Sequence, residues 1–91
     1  MVLIMMADQT QVLRLLKTAR GQLDGILKMV EENRYCMDIA HQLMATEAVL
    51  NRANREILAA HLKHCVKTAS SEAEKEEKID EMVQMLGKLL K

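Results

Sequence analysis

Proline, tryptophan and phenylalanine are absent from these 91 residues, tyrosine occurs once, at Tyr35, and glycine only three times. Without proline nothing forces a break in a helix, and with so few glycines there is no glycine-rich loop. The residues that remain abundant, Ala, Leu, Met, Glu, Lys and Gln, are strong helix formers, so the chain is predicted to be all-α. Net charge is missing too: 13 Lys and Arg balance 13 Asp and Glu, which gives no argument for nucleic acid from charge balance alone. The imbalance is local, with nine cations against seven carboxylates in residues 1–69 and four against six in residues 70–91. There is no long hydrophobic run. The apolar opening, Met1 to Met6, is far shorter than a membrane span and has neither a basic flank nor a cleavage pattern. Residues 1–8 are therefore expected to be a disordered N-terminal end, with Met6 a candidate start, and residues 9–91 a single domain. Two cysteines without a secretory signal make no disulfide framework. They fit a cytoplasmic chain whose thiols stay reduced and open to soft metals or oxidants. No nucleophile–base pairing is evident, so the chain is not expected to be an enzyme.

Three helices are legible. The first runs from about Gln9 to Glu32, with Asp8 or Thr10 as its N-cap and Val12, Leu16, Ala19, Leu23, Ile26 and Val30 as an apolar stripe. Arg14, Lys17, Gly21 and Lys28 fall on another face. Asn33 and Arg34 mark a tight corner. The second helix, from about Tyr35 to Ala69, is long for a small domain and carries Cys36, Ala40, Leu43, Leu50, Ile57, His61 and Cys65 on one stripe. Ser70 and Ser71 end it, and Ser71 with Glu74 forms a capping box for a third helix. That helix presents Ile79, Met82, Val83, Leu86, Leu89 and Leu90. So few residues spread over long helices cannot cover their own apolar stripes, so another chain is expected to do so.

Cys36, His61 and Cys65 give the second helix its chemistry. His61 and Cys65, four residues apart, lie one above the other on one face and can chelate one ion together. Cys36 precedes His61 by 25 positions. That returns it to within roughly 20° of the same face but about 37 Å away along the axis. One straight helix cannot close the site. An antiparallel second copy, crossing near Val49 and Leu50, sets Cys36 of one chain beside His61 and Cys65 of the other and generates two sites about a two-fold axis. Taken singly, a cysteine on an apolar stripe is more often packing than ligand; it is the face shared with His61, together with the family resemblance described next, that favours a metal.

The segment Arg14-Leu15-Leu16-Lys17-Thr18-Ala19-Arg20-Gly21-Gln22-Leu23-Asp24-Gly25-Ile26 resembles the basic first helix of the copper-sensitive operon repressor family, which also contains nickel/cobalt, formaldehyde and persulfide sensors. Arg34-Tyr35-Cys36-Met37-Asp38-Ile39 and His61-Leu62-Lys63-His64-Cys65-Val66 are similar to that family's ligand pattern in type and spacing. The resemblance covers the chain from Val12 onward. It implies a three-helix protomer and an antiparallel dimer that assembles into a dimer-of-dimers tetramer. It also implies a transcriptional repressor that lacks a helix-turn-helix and leaves operator DNA when its effector binds.

Within that family the ligand set separates the effectors. Two sulfurs and one imidazole from Cys36, His61 and Cys65 suit Cu(I), whereas nickel or cobalt prefer more nitrogen and oxygen. Zinc would want a fourth ligand, which His64 or a water would have to supply. The formaldehyde sensors resemble a proline-containing pattern that this chain lacks. Persulfide sensors need only two facing cysteines, so Cys36 and Cys65 keep that reading open, with His61 as the discriminator. By resemblance, Tyr35 and Glu81 are implied to hydrogen-bond the ligating histidine's free nitrogen, and Arg14, Lys17, Arg20 and Arg52 to contact DNA. Glu47 departs from the family pattern. A helical oligomer that only buffers copper is the alternative from a different class.

Overall fold

The structure is a computed structural model that describes residues 7–68 and 70–89, without the side chains at 65, 66, 68 and 89. Residues 1–6, most of the expected disordered end, lie outside it, as does Leu90. The described residues form three α-helices and no strand: α1 Gln9–Glu31, α2 Cys36–Thr68 and α3 Glu72–Leu89. Among them, no helix is long and apolar enough to cross a membrane.

Each boundary has a local cause. Because α1 begins at Gln9, Asp8 rather than Thr10 occupies the N-cap position. At the other end Asn33 adopts a left-handed φ of 56°. The Asn33 N–H donates to the Val30 carbonyl and the Arg34 N–H to the Met29 carbonyl, both at 3.0 Å. Those are the two bonds of a Schellman motif, with asparagine in the place glycine usually takes. The chain then turns directly into α2, whose first turn is anchored by the Tyr35 carbonyl accepting from the N–H groups of Asp38 and Ile39. At α3 the Ser71 hydroxyl oxygen accepts the Glu74 N–H at 3.1 Å. The Glu74 carboxylate reaches back to the Ser70 N–H and hydroxyl. The expected capping box is thus built with its return bond one residue upstream.

The helices form two compact units, one of residues 9–54 and one containing the rest of α2 and α3. In the first, α1 buries Val12, Leu15, Ala19 and Ile26, and α2 buries Thr46 and Ala53. The predicted stripe on α1 is shifted. Val12, Ala19 and Ile26 are inside as expected, but Leu15 joins them while Leu16, Leu23 and Val30 stay 42%, 42% and 58% exposed. The apolar arc of α1 is wider than one neighbouring helix can cover, so the hairpin takes one edge and leaves the other open. On α2, Leu43 and Leu50 of the Cys36 stripe are likewise exposed. In the second unit Met82 is buried, whereas Ile79, Val83 and Leu86 of the same helix remain exposed.

Candidate metal centre and nucleic-acid interface

Cys36 is the first residue of α2 and a free, exposed thiol. Its position follows from the corner: the Schellman turn ends α1, Tyr35 starts α2 through its carbonyl, and the next side chain is the thiol. Tyr35 itself is 66% exposed. His61 is half-buried on the same helix, and Cys65 lies four helical positions beyond it; the Cys65 side chain falls outside the described residues. Because α2 is continuous from Cys36 to Thr68, the 25 positions between Cys36 and His61 are all helical. Among the described residues no three His, Cys, Asp or Glu side chains gather into a cation site within one chain. Glu81, on α3, is exposed and makes an ion pair with Lys78 at 3.9 Å. An exposed pair of this kind contributes at most about 1 kcal/mol, so it does not commit the carboxylate.

The predicted DNA-contacting side chains all belong to the unit of residues 9–54. Arg14, Lys17 and Arg20 are exposed on α1, away from its buried edge, and Arg52 is exposed on α2. The Arg14 guanidinium donates twice to the Gln11 side-chain oxygen, at 2.6 and 3.1 Å. This orients the group without neutralising it, since the partner is a neutral amide. Among the described residues no carboxylate is ion-paired with Lys17 or Arg20. Thr10, Leu13, Arg14, Lys17 and Thr18 border a shallow depression on this face. Glu47, also exposed, lies on α2 in the same unit. Residues 9–54 hold six cations and five carboxylates, so the basic character comes from the grouping on α1 rather than from net charge.

Sequence reading missed one polar contact. Thr46, only 2% exposed, lies with its hydroxyl 2.9 Å from the Gln22 side-chain oxygen and 3.1 Å from the Gln42 carbonyl. The available signal was Gln22's place in the series Val12, Leu15, Ala19, Gln22, Ile26, whose alternating steps of three and four mark a buried seam. Elsewhere, the hydrogen bonds from Ser70 hold the Glu74 carboxyl below its ordinary value of 4.5.

Comparison with known proteins gives concordant results. Residues 8–88 match the family described as metal-sensitive transcriptional repressor. Over 68 residues the chain is 46% identical to the copper-sensing transcriptional repressor CsoR of Mycobacterium ulcerans; this region is 75% of the chain and 58% of that relative, so the chain spans under two thirds of its length. Among solved structures it resembles the copper-sensing repressor CsoR with Cu(I) from Geobacillus thermodenitrificans, at a TM-score of 0.74 and 35% identity, covering 90% of this chain and 85% of that one. The nickel-responsive transcriptional regulator InrS is similar at the same TM-score of 0.74 but 26% identity, covering 97% and 99%.

Proposed function

The chain belongs to the metal-sensitive transcriptional repressor family, and from that premise we propose that it is a Cu(I)-responsive repressor that binds operator DNA in its metal-free state and releases it when the metal binds. The observation that carries the choice of metal is the donor set of α2, two sulfurs and one imidazole at Cys36, His61 and Cys65. So sulfur-rich and small a set suits Cu(I) better than nickel or cobalt. The CsoR relatives, copper-sensing by name, support the same metal.

Because 25 helical steps separate Cys36 from His61 on α2, the site is proposed to be shared. Cys36 of one chain acts with His61 and Cys65 of the partner subunit in an antiparallel dimer, two of which form a tetramer. The exposed edge of α1, with Leu16, Leu23 and Val30, supplies the apolar surface such an assembly requires. In the metal-free state Arg14, Lys17, Arg20 and Arg52 hold phosphates, so affinity falls steeply with salt. Closing the shared site fixes the two α2 helices in a new relation. His61, hydrogen-bonded through its other ring nitrogen to Glu81 or Tyr35, carries that change toward α3. DNA then weakens Cu(I) binding by the factor by which Cu(I) weakens DNA binding. The work of such a repressor belongs in the cytoplasm, and the reading involves no catalytic step.

The test is binding of duplex DNA from upstream of the chain's own gene, with and without Cu(I). Tight binding abolished by stoichiometric Cu(I) is expected; binding indifferent to Cu(I), or absent altogether, sinks the reading. The exposed, free thiol of Cys36 favours one competitor, a persulfide-sensing repressor using Cys36 and Cys65. His61→Ala separates the two, because it abolishes a copper response and leaves a sulfur response intact.

A further inference from the structure

Thr46 is the one buried polar side chain among the described residues, and it is set in the seam between α1 and α2. Its hydroxyl has one proton to give but faces two oxygens, the Gln42 carbonyl one turn back and the Gln22 side chain across the seam. Turning the Gln22 amide end for end satisfies every group. The Thr46 O–H then donates to the Gln42 carbonyl, and the Gln22 amide N–H donates to the Thr46 oxygen. In either orientation the cross-helix bond joins Gln22 to Thr46. The flanking seam positions of α1 are Val12, Leu15, Ala19 and Ile26, all apolar and all buried.

A polar pair set among buried apolar positions selects register. Apolar side chains tolerate sliding of one helix along the other, because each finds another apolar neighbour. A slide that separates Gln22 from Thr46 leaves the buried Thr46 oxygen with its same-helix bond to Gln42 alone and takes from the half-buried Gln22 its partner across the seam. In the antiparallel hairpin the pairing also sets Leu15 level with Ala53, a large side chain against a small one, and both are buried. The slide therefore costs polar satisfaction and steric fit together.

We propose that Gln22 and Thr46 are a positioning pair for nucleic-acid binding. By locking the axial offset of α1 on α2 they set the spacing between the cations Arg14, Lys17 and Arg20 on one helix and Arg52 on the other. The phosphates of a duplex repeat at fixed intervals, so a set of cations split between two helices meets several of them at once only at one offset. The proposal rests on the repressor reading above, and it makes Gln22 and Thr46 act through those cations without touching DNA.

Thr46→Val keeps the shape of the side chain and removes the hydroxyl; Thr46→Ser restores the hydroxyl alone. Three measurements are made on the full-length chain. The first is binding to the upstream duplex over a range of salt. The second is Cu(I) affinity against a competing chelator. The third is the distance between nitroxide labels at Asp24→Cys and Asn51→Cys in a Cys36→Ser, Cys65→Ser background, diluted with unlabelled chain. For Thr46→Val the expected result is at least a tenfold loss of DNA affinity and a salt slope smaller by about one unit for each phosphate no longer held. Cu(I) affinity stays within threefold, and the label distances shift or broaden. Thr46→Ser is expected to return DNA affinity, salt slope and label distances toward native values. Unchanged label distances in a folded Thr46→Val oligomer overturn the lock. Shifted distances with native DNA affinity and salt slope overturn its role in binding. Failure of the repressor reading looks different, since the unsubstituted chain itself would then ignore the duplex while the label distances still answered to Thr46.

Discussion

Glu74 shows how one side chain can make a helix end sensitive to acid. Its carboxyl is held below the ordinary 4.5 by the Ser70 hydrogen bonds, so the folded state favours the ionised form more than the unfolded state does. Stabilisation of this kind is complete above the unfolded value and is lost as pH falls through the lowered folded value. The first turn of α3 is therefore expected to fray as pH drops below about 4.5, seen as faster amide exchange at residues 72–76. Glu74→Gln should already show the faster exchange at neutral pH and remove the pH dependence; an identical acid response in that variant would place the sensitive group elsewhere. Asn33 makes a different point at the same scale. A non-glycine residue at φ 56° was readable as a corner from the pair Asn33-Arg34, because asparagine tolerates the left-handed region better than most residues.

At the scale of the helix, caps were legible and faces were only half so. Asp8, Asn33, Tyr35 and Ser71 announce chemically where α1, α2 and α3 begin or end, and the expected bounds agree with the observed ones to within a residue or so. Which edge of α1 turns inward was not legible. Leu15 and Leu16 are equally apolar, and the choice between them depends on where α2 crosses, which the Gln22–Thr46 contact fixes and periodicity does not. The spacing of Cys36, His61 and Cys65 was legible, and the unbroken α2 carries all three positions as expected; their closure into one site by a second copy is the proposal made above. The open edge of α1 carries a prediction of its own. Leu16 and Leu23, each 42% exposed, contribute little to the hairpin but much to any surface shared with another copy. Leu16→Lys with Leu23→Lys is expected to leave helical content within about a tenth of native while reducing the mass in light scattering toward that of one chain. Loss of helix in step with loss of mass would show instead that the edge supports the hairpin itself.

For the whole molecule, the coupling between two binding events is what distinguishes a sensor from a store. Glu81 is exposed and, among the described residues, held by a long ion pair to Lys78, so its removal should not disturb the fold. Glu81→Ala is expected to keep Cu(I) affinity within a few fold and to lose most of the Cu(I)-induced release from DNA. Couplings of this kind amount to about 1–3 kcal/mol, a five- to 150-fold change in DNA affinity that a titration resolves readily. Full release by Glu81→Ala would rule out the route through α3. The uninterrupted α2 has a further consequence, in covalent connectivity. Cys36 and Cys65 are 29 helical steps apart on α2, and an ideal straight helix rises about 44 Å over that span, against the 7 Å or so that a disulfide allows between α-carbons. With α2 straight, oxidation is expected not to join them within one chain. Disulfides are then expected to bind one polypeptide to another, and in the proposed antiparallel pair two such bonds close the chains into a single ring. On a non-reducing denaturing gel, oxidised protein should migrate as a linked dimer with both thiols consumed; a loop-closed monomer would mean that α2 had melted before it reacted.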